Sequence, residues 1–440
     1  MLLSEIAEAT NGVLVGDDVE VKSFTIDSRK EADFFVPLIG ESLDGHDFID
    51  SFFNGGGKAC FSKKMIKGDG TYIRVEDTHV ALKELAKYHR AKFCIPIVAI
   101  TGSVGKTSTR QLVVDTLSVK FNVAQTMGNF NNDIGLPLSI LNGLSEESEA
   151  GVFEIGMNHF GEIDELASIL KPDYAIITNI GTAHIGNLGS QENILKAKFE
   201  IFNHISSMGI AILNGDDDLL SSHKSDIPCR IITYGIAGDL LDVRGEEIYQ
   251  TDDGFSFEVL REEFEINLIG THNLYNALAG YTIAKELGLD FDEIRAGLAK
   301  ASNAEGRQNI LELSDFVLID DCYNASFDSM LSGLELLYKL GSGKKKIAVL
   351  GSMLELGEFS EELHIKLGEY IDSEIDLLIT VGVEAKEITK TAKAKKTQKV
   401  LKASDVFNVI KDDLKKSVIL VKGSNSIGLS EAVDKIKNIQ

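Results

Sequence analysis

Long apolar runs are missing from this chain of 440 residues, and no stretch approaches the roughly 20 residues that a membrane-spanning helix needs. Membrane insertion is therefore not expected. Positive charge is also scarce: 44 Lys and Arg stand against 68 Asp and Glu, a formal charge of −24. That balance lacks the basic stripe on which nucleic acid binds, so no nucleic-acid partner is expected. The acidic excess reads as a solubilising surface, and the local basic run 390–402 as a solvated face. Cysteines are few and scattered (Cys60, Cys94, Cys229, Cys322), with no Cys-x-x-Cys spacing. This fits reduced thiols better than a disulfide framework or a zinc site. The N-terminal Met1-Leu2-Leu3-Ser4-Glu5 has no basic region followed by an apolar core, which speaks against secretion. A cytoplasmic protein is expected. There is no long internal repeat and no low-complexity linker, and the length suits two or three domains with substantial cores.

What the chain does have is concentrated in Ile100-Thr101-Gly102-Ser103-Val104-Gly105-Lys106-Thr107-Ser108-Thr109. An apolar run at 95–100 reads as a buried strand, and 111–117 reads as a helix. Glycines between strand and helix let backbone N–H groups turn toward an anion, and the helix N-terminus adds its positive dipole end. Lys106 would reach the outer phosphates of a nucleotide and the Thr107 hydroxyl would sit on magnesium. The spacing Gly-x-x-Gly-Lys-Thr is shorter than the usual Gly-x4-Gly-Lys-[Ser/Thr].

Residues 1–92 alternate short strands and helices around two polar clusters, Thr25-Ile26-Asp27-Ser28-Arg29 and Asp44-Gly45-His46-Asp47-Phe48. On residue types alone both read as turns. A strand-like 34–39 precedes the second cluster, and a helix is expected over 80–91. Residues 93–305 carry strands at 95–100, 152–155, 174–178 and 210–213, separated mostly by helical patterns. That order describes a parallel sheet with crossover helices, whose ligands bind at the carboxyl ends of strands. Glu154 near one strand end and His184 just past another are thus candidates for a metal or nucleotide role. On the next helix Ile194, Leu195, Ile201, Phe202 and Ile205 share one face, and Lys198 projects from the middle of that stripe. Lys198 either snorkels its charge to the edge or is a partly buried amine, neutral enough to form a carbamate with carbon dioxide. Gly270-Thr271-His272-Asn273-Leu274-Tyr275-Asn276 opens another helix, with Asn273 the expected N-cap and Asn276 free for a binding role. Residues 306–440 alternate again, with strands at 316–319, 347–350, 377–381 and 418–421. Polar strand ends at Asp320-Asp321-Cys322-Tyr323-Asn324, Gly351-Ser352-Met353-Leu354-Glu355-Leu356-Gly357 and Lys422-Gly423-Ser424-Asn425-Ser426 suggest a cleft.

Together these segments resemble the Mur ligases, the ATP-dependent amide-forming enzymes of peptidoglycan precursor synthesis. The shortened loop 101–107 is typical of that family. The resemblance is carried further by Gly128-Asn129-Phe130-Asn131-Asn132-Asp133-Ile134-Gly135-Leu136-Pro137-Leu138, by Glu154-Ile155-Gly156-Met157-Asn158-His159-Phe160-Gly161-Glu162-Ile163, and by 179–189, 320–324 and 351–357. It spans essentially the whole chain. It is a resemblance to the branch that joins D-alanyl-D-alanine to UDP-N-acetylmuramoyl-tripeptide through an acyl phosphate, with ATP and magnesium (Mg2+) as cofactors. The implied fold class is α/β in three domains: a small N-terminal UDP-binding domain (1–92), a central ATP-binding phosphate-loop domain with a parallel sheet (93–305), and a C-terminal Rossmann-like, doubly wound domain receiving the dipeptide (306–440). A monomer is expected.

Carried over position by position, the resemblance implies that Gly102, Ser103, Val104, Gly105, Lys106, Thr107 and Ser108 cradle ATP, with Lys106 on its β- and γ-phosphates. Asn276 would contact the adenine region, Arg307 the phosphates, and Asp321 the ribose side, with Tyr323 and Asn324 beside it. Thr107 and Glu154 would bind one magnesium, while His184 and a carbamylated Lys198 would help place a second. Lys106, Lys198 and His184 form the implied catalytic set. Ser28 and Asp44 would serve the UDP moiety, which revises the turn-only reading, and Asn129, Asn131, Asn132, Asn158 and His159 the muramoyl peptide. Three positions depart from the family pattern: Phe160 where proline is common, Ser352 where aspartate is common, and Asn425 where arginine is common.

Overall fold

The computed structural model describes residues 1–40, 42–66, 70–303 and 307–438, and their strands assemble into four sheets. The central sheet has seven parallel strands in the order Val243–Arg244, Arg230–Gly235, Ile210–Asn214, Tyr174–Ile177, Ile97–Thr101, Ala150–Glu154, Val123–Gln125. Its inner strands are apolar on both faces because both are covered, as a parallel sheet requires. Val98, Ile100, Val152, Ile176 and Ile212 pack against the helices Lys106–Leu117 and Thr271–Glu286, while Ile97, Ala99, Phe153, Ala175 and Ile177 face the other core. In this register Ile100 lies beside Glu154, and Thr101 beside Ile177. The phosphate loop, Glu154 and the segment bearing His184 thus leave the sheet at the same edge.

The C-terminal sheet runs Asn309–Glu312, Val317–Asp321, Ser417–Lys422, Lys345–Gly351, Leu377–Val381, Lys396–Val400, with the first strand antiparallel and the rest parallel. The basic run contains its exposed edge strand, where lysines discourage pairing with another chain. The N-terminal sheet has five strands, with Val13–Val15 antiparallel at one edge. Its helix Thr78–Ala91 packs on Gly135–Gly143 and Glu162–Leu170 of the central unit. The two units are further tied where Phe24 N donates to Asn142 Oδ1 at 2.9 Å and Asn142 Nδ2 donates back to Phe24 O at 3.1 Å. Among the described residues, no helix is long and apolar enough to cross a membrane.

Several expectations need correction. The helix after the phosphate loop starts at Lys106, not at 111, since the first turn needs only its free N–H groups and no apolar residue. The stretch 34–39 forms a strand only at Phe34–Phe35. The helix Gln191–Phe199 tightens into a 3-10 turn, Glu200–His204, so Ile205 lies beyond the stripe assigned to it. Asn273 is not an N-cap: the helix begins at Thr271 after Gly270, whose φ of 104° suits glycine, and Asn273 Nδ2 donates to Ile269 O. An antiparallel sheet of Glu246–Gln250, Phe255–Val259 and Glu262–Ile266 was not anticipated, although Phe255, Phe257 and Val259 alternate inward as such a strand should. The expected boundary at 305/306 lies outside the described residues.

Candidate active site

The loop from Gly102 to Gly105 is held by its neighbours. Ser103 N donates to Asn179 O and Val104 N to Asn179 Oδ1, both at 3.0 Å. Thr178 Oγ1 and Asn179 Nδ2 donate to Val104 O at 2.6 and 2.9 Å. Gly102 and Gly105 have φ of 152° and 85°, and a Cβ on Gly102 would lie 1.8 Å from Thr178 Oγ1. Both glycines are therefore dictated by the turn. Lys106 Nζ donates to Gly102 O at 2.9 Å, and burial pushes its ammonium below the usual lysine range against the pull of Glu154.

Next to the loop, Thr107 Oγ1 donates to Glu154 Oε2 at 2.9 Å, and Asn131 Nδ2 donates to Glu154 Oε1 at 2.7 Å. Glu154 is 1 % exposed. A buried carboxylate beside a hydroxyl, with only an amide donor opposite, forms a set of hard oxygens, which fits magnesium. Among the described residues no group of three or more His, Cys, Asp or Glu gathers to hold a metal. Any ion here would therefore take much of its coordination from phosphate oxygens and water, as magnesium does.

Lys198 is 1 % exposed, so the snorkelling alternative fails. Burial, followed by repulsion from Lys106, holds its ammonium far below the ordinary range. His184 has a left-handed φ of 65° and presents Nδ1 at 2.7 Å from Glu355 Oε2, off the line a hydrogen bond needs.

Two cavities flank the loop. One, of about 460 Å³, is lined by Ser103 to Thr107, Asn129, His184, Arg307, Tyr323 and Asn324. The other, of about 290 Å³, is lined by Val104, Gly105, Ser108, Asn276, Arg307 and Asp321, among others. The Arg307 guanidinium lies 4.2 Å from the Tyr323 ring centroid, in cation–π range, and reaches Thr107 Oγ1 at 3.5 Å. Asn276 lines the second cavity, but its amide is engaged: Oδ1 accepts from Thr109 Oγ1 at 2.8 Å and Nδ2 donates to Asn273 Oδ1 at 3.1 Å.

Other expected residues fall elsewhere. Ser28 and Asp44 line neither cavity. Asp44 accepts from His46 N and pairs with His46 Nδ1 and Lys64, and these bonds hold its carboxyl down at about 2. Asn132 Oδ1 accepts from Gly135 N at 2.8 Å, closing the turn into a helix. Asn158 N and the exposed His159 ring both meet Glu162. Of the three departures, Ser352 is fully buried with Oγ accepting from Ala385 N, and Asn425 Nδ2 donates to Tyr323 O.

Sequence reading took Lys422 only as part of a polar strand end and gave it no role of its own. In the sheet register it pairs with Asp321, and its Nζ donates to Asp321 Oδ2 at 2.7 Å and to Asn324 O at 3.0 Å. Both side chains are almost wholly buried, and both line the second cavity. A lone ionisable residue closing the apolar run 418–421 was the available signal. Losing one partner strands the other as a buried charge, so Lys422→Met should lower the unfolding free energy by about 3–5 kcal/mol. Lys422→Met combined with Asp321→Asn should cost much less, which denaturant titration would check.

A strand, a phosphate loop, a buried acid and a C-terminal wall meeting over one cleft define a nucleotide-binding α/β protein whose site lies between two units. Family models for the Mur ligase middle domain and for the Mur ligase glutamate ligase domain match residues 100–284 and 306–425. The chain belongs to the Mur ligase family. It is 34 % identical to UDP-N-acetylmuramoyl-tripeptide–D-alanyl-D-alanine ligase from Bacillus subtilis, covering 98 % of this chain and 97 % of that one. MurF from Acinetobacter baumannii superposes with a TM-score of 0.88 at 30 % identity, over 99 % and 98 % of the two chains. MurF from Thermotoga maritima, solved in complex with ADP, gives 0.82 at 30 % identity over 94 % and 96 %.

Proposed function

We propose that this protein uses ATP to join D-alanyl-D-alanine to UDP-N-acetylmuramoyl-tripeptide, the last cytoplasmic amide-forming step of peptidoglycan precursor synthesis. The observation that carries the reading is the cleft itself. Lys106, Thr107 and His184 on one wall face Arg307, Tyr323 and Asn324 on the other, within a chain whose full-length relatives carry that activity in their names. One chain supplies both walls, which supports action as a monomer. We divide the roles as 1–92 for the UDP-linked substrate, 93–305 for ATP and 306–440 for the dipeptide.

A carboxylate has no good leaving group, so amide formation needs activation. The tripeptide carboxylate would attack the γ-phosphorus of ATP, releasing ADP and leaving an acyl phosphate. The dipeptide amine would then attack the acyl carbon, and the tetrahedral adduct would expel phosphate. Attack of an anion on an anion is slow unless charge is neutralised. Lys106, already partly desolvated, would lie against the β- and γ-phosphates, and Arg307 would close on them from the opposite wall. Thr107 and Glu154 would hold one magnesium, with His184 and carbamylated Lys198 helping to place a second. Bound magnesium would supply charge neutralisation and orientation of the phosphates. Asn131, bonded to Glu154, would keep that carboxylate aimed. Ser28 and Asp44 would contact the UDP moiety, and Asn129, Asn132, Asn158 and His159 the muramoyl peptide.

The test is phosphate release from ATP with UDP-N-acetylmuramoyl-tripeptide, with and without D-alanyl-D-alanine. Release requiring both substrates is expected. Release supported by a single amino acid in place of the dipeptide would move the reading to another member of the family.

A further inference from the structure

Beyond the two cavities that flank the loop lies a third, of about 700 Å³, beside the edge strand Val123–Gln125. It joins the larger of them over Thr107, Asn129, Arg307 and Tyr323, which line both. Arg110 and Gln111, on the helix Lys106–Leu117, also line it, and among the described residues no acid does.

Arg110 has no part in the reaction as described so far. It is 5 % exposed, yet among the described residues it pairs with no carboxylate. Nη1 donates to Gln125 Oε1 at 3.2 Å and to Thr126 O, both neutral, while Nε is buried without a partner. Burial works against its charge, and the pull of Glu154 and Asp115 does not make good the loss. A buried cation left unpaired is costly, and this one lines an acid-free cavity that opens onto the phosphate site. Lys106, Arg110 and Arg307 are the lysines and arginines lining the joined cavities among the described residues. Lys106 and Arg307 are taken by phosphates in the mechanism above. Arg110 is left.

We propose that Arg110 receives the carboxylate of the incoming dipeptide and so measures its length. This rests on the reaction assigned above. The dipeptide carries its carboxylate at the end opposite the amine that attacks the acyl phosphate. With that amine beside Lys106 and Thr107, the carboxylate of an extended dipeptide lies two residue lengths away, about 7 Å. Arg110 stands one helical turn beyond Thr107, about 5 Å along the axis, and its side chain reaches further toward the sheet edge. A single amino acid, about 3.5 Å long, would leave its carboxylate short of the guanidinium. Arg307 and Tyr323 would cover the same cavity from the C-terminal unit, so the dipeptide lies between the two walls.

The experiment measures phosphate release by the full-length wild type, Arg110→Gln and Arg110→Lys, with D-alanyl-D-alanine or its C-terminal amide as acceptor. A hydrogen bond to a charged group is worth about 10–100-fold in binding, so Arg110→Gln should raise KM for the dipeptide by that factor. KM for ATP should not change. The wild type should prefer the acid over the amide by a similar factor, and Arg110→Gln should lose that preference. Arg110→Lys, which keeps the charge without the planar fork, should retain part of it. Equal KM for acid and amide in the wild type would overturn the proposal whatever the variants do. So would a preference for the acid that survives in Arg110→Gln. Were Arg110 only a prop for Thr126, Arg110→Gln would lower the thermal midpoint and slow both acceptors alike, and the preference would survive. Should the wild type release no phosphate with tripeptide and dipeptide, the assigned reaction falls and this proposal with it. Wild-type turnover with an unaltered Arg110→Gln removes this proposal alone.

Discussion

Lys106→Ala is expected to lose at least about a hundredfold to a thousandfold in turnover, the usual cost of removing one well-placed charge stabiliser. The variant should stay folded. Among the described residues Lys106 Nζ bonds only to carbonyls of its own loop, Gly102 O and Ser103 O, whereas the loop is anchored independently by Thr178 and Asn179. Its helix continues regardless, because alanine is the best helix former. The loss should therefore fall on kcat, with circular dichroism and the thermal midpoint near those of the wild type. Arg307, assigned to the same phosphates, does not replace the Lys106 ammonium. Arg307 is planar, stacked at 4.2 Å from the Tyr323 ring, and belongs to the opposite wall. Phosphate release near the wild-type rate would refute the role given to Lys106.

The phosphate loop was legible in the sequence because its chemistry is local. Two glycines, a lysine and a threonine between a strand and a helix admit few other readings. Glu154 was legible for a related reason, since a carboxylate at the end of an apolar parallel strand faces the ligand edge of the sheet. The central and C-terminal sheets announced themselves through apolar runs covered on both faces. What stayed hidden depended on partners distant in the chain. Glu355 looked like one more polar residue of a turn until its loop met His184, some 170 residues earlier in the sequence. Lys422 sat at a strand end, and only the pairing of Val317–Asp321 with Ser417–Lys422 sets it against Asp321. Asn276 reversed the problem: its helix position suggested a free amide, whereas Thr109 and Asn273 occupy that amide. Residue types reveal what a side chain can do, and long-range register decides with whom.

Lys198 carries the second large effect. Its amine is wholly buried, and burial presses its pKa well below 10.5, which favours the neutral form that attacks carbon dioxide. Addition of the neutral amine to carbon dioxide with loss of one proton would give a carbamate, an anion in place of the amine, and in the proposed mechanism that anion helps to place magnesium. Lys198→Ala should thus be nearly inactive, and short carboxylic acids should restore part of the activity by occupying the space and charge of the carbamate. Full activity without supplement would remove the carbamate from the mechanism. Stability offers an independent readout. Between the depressed pKa and 10.5 the unfolded chain binds a proton that the unmodified folded chain does not, so unfolding free energy rises with pH across that window. Below the window the folded chain must either bury an ammonium or unfold. Lys198→Met fills the same space without the charge, and should be more stable than carbon-dioxide-free wild type at neutral pH. The gap should narrow as the pH approaches 10.5. Denaturant titrations at several pH values would measure it, and a gap independent of pH would mean that Lys198 is not the buried, titrating amine on which carbamylation depends.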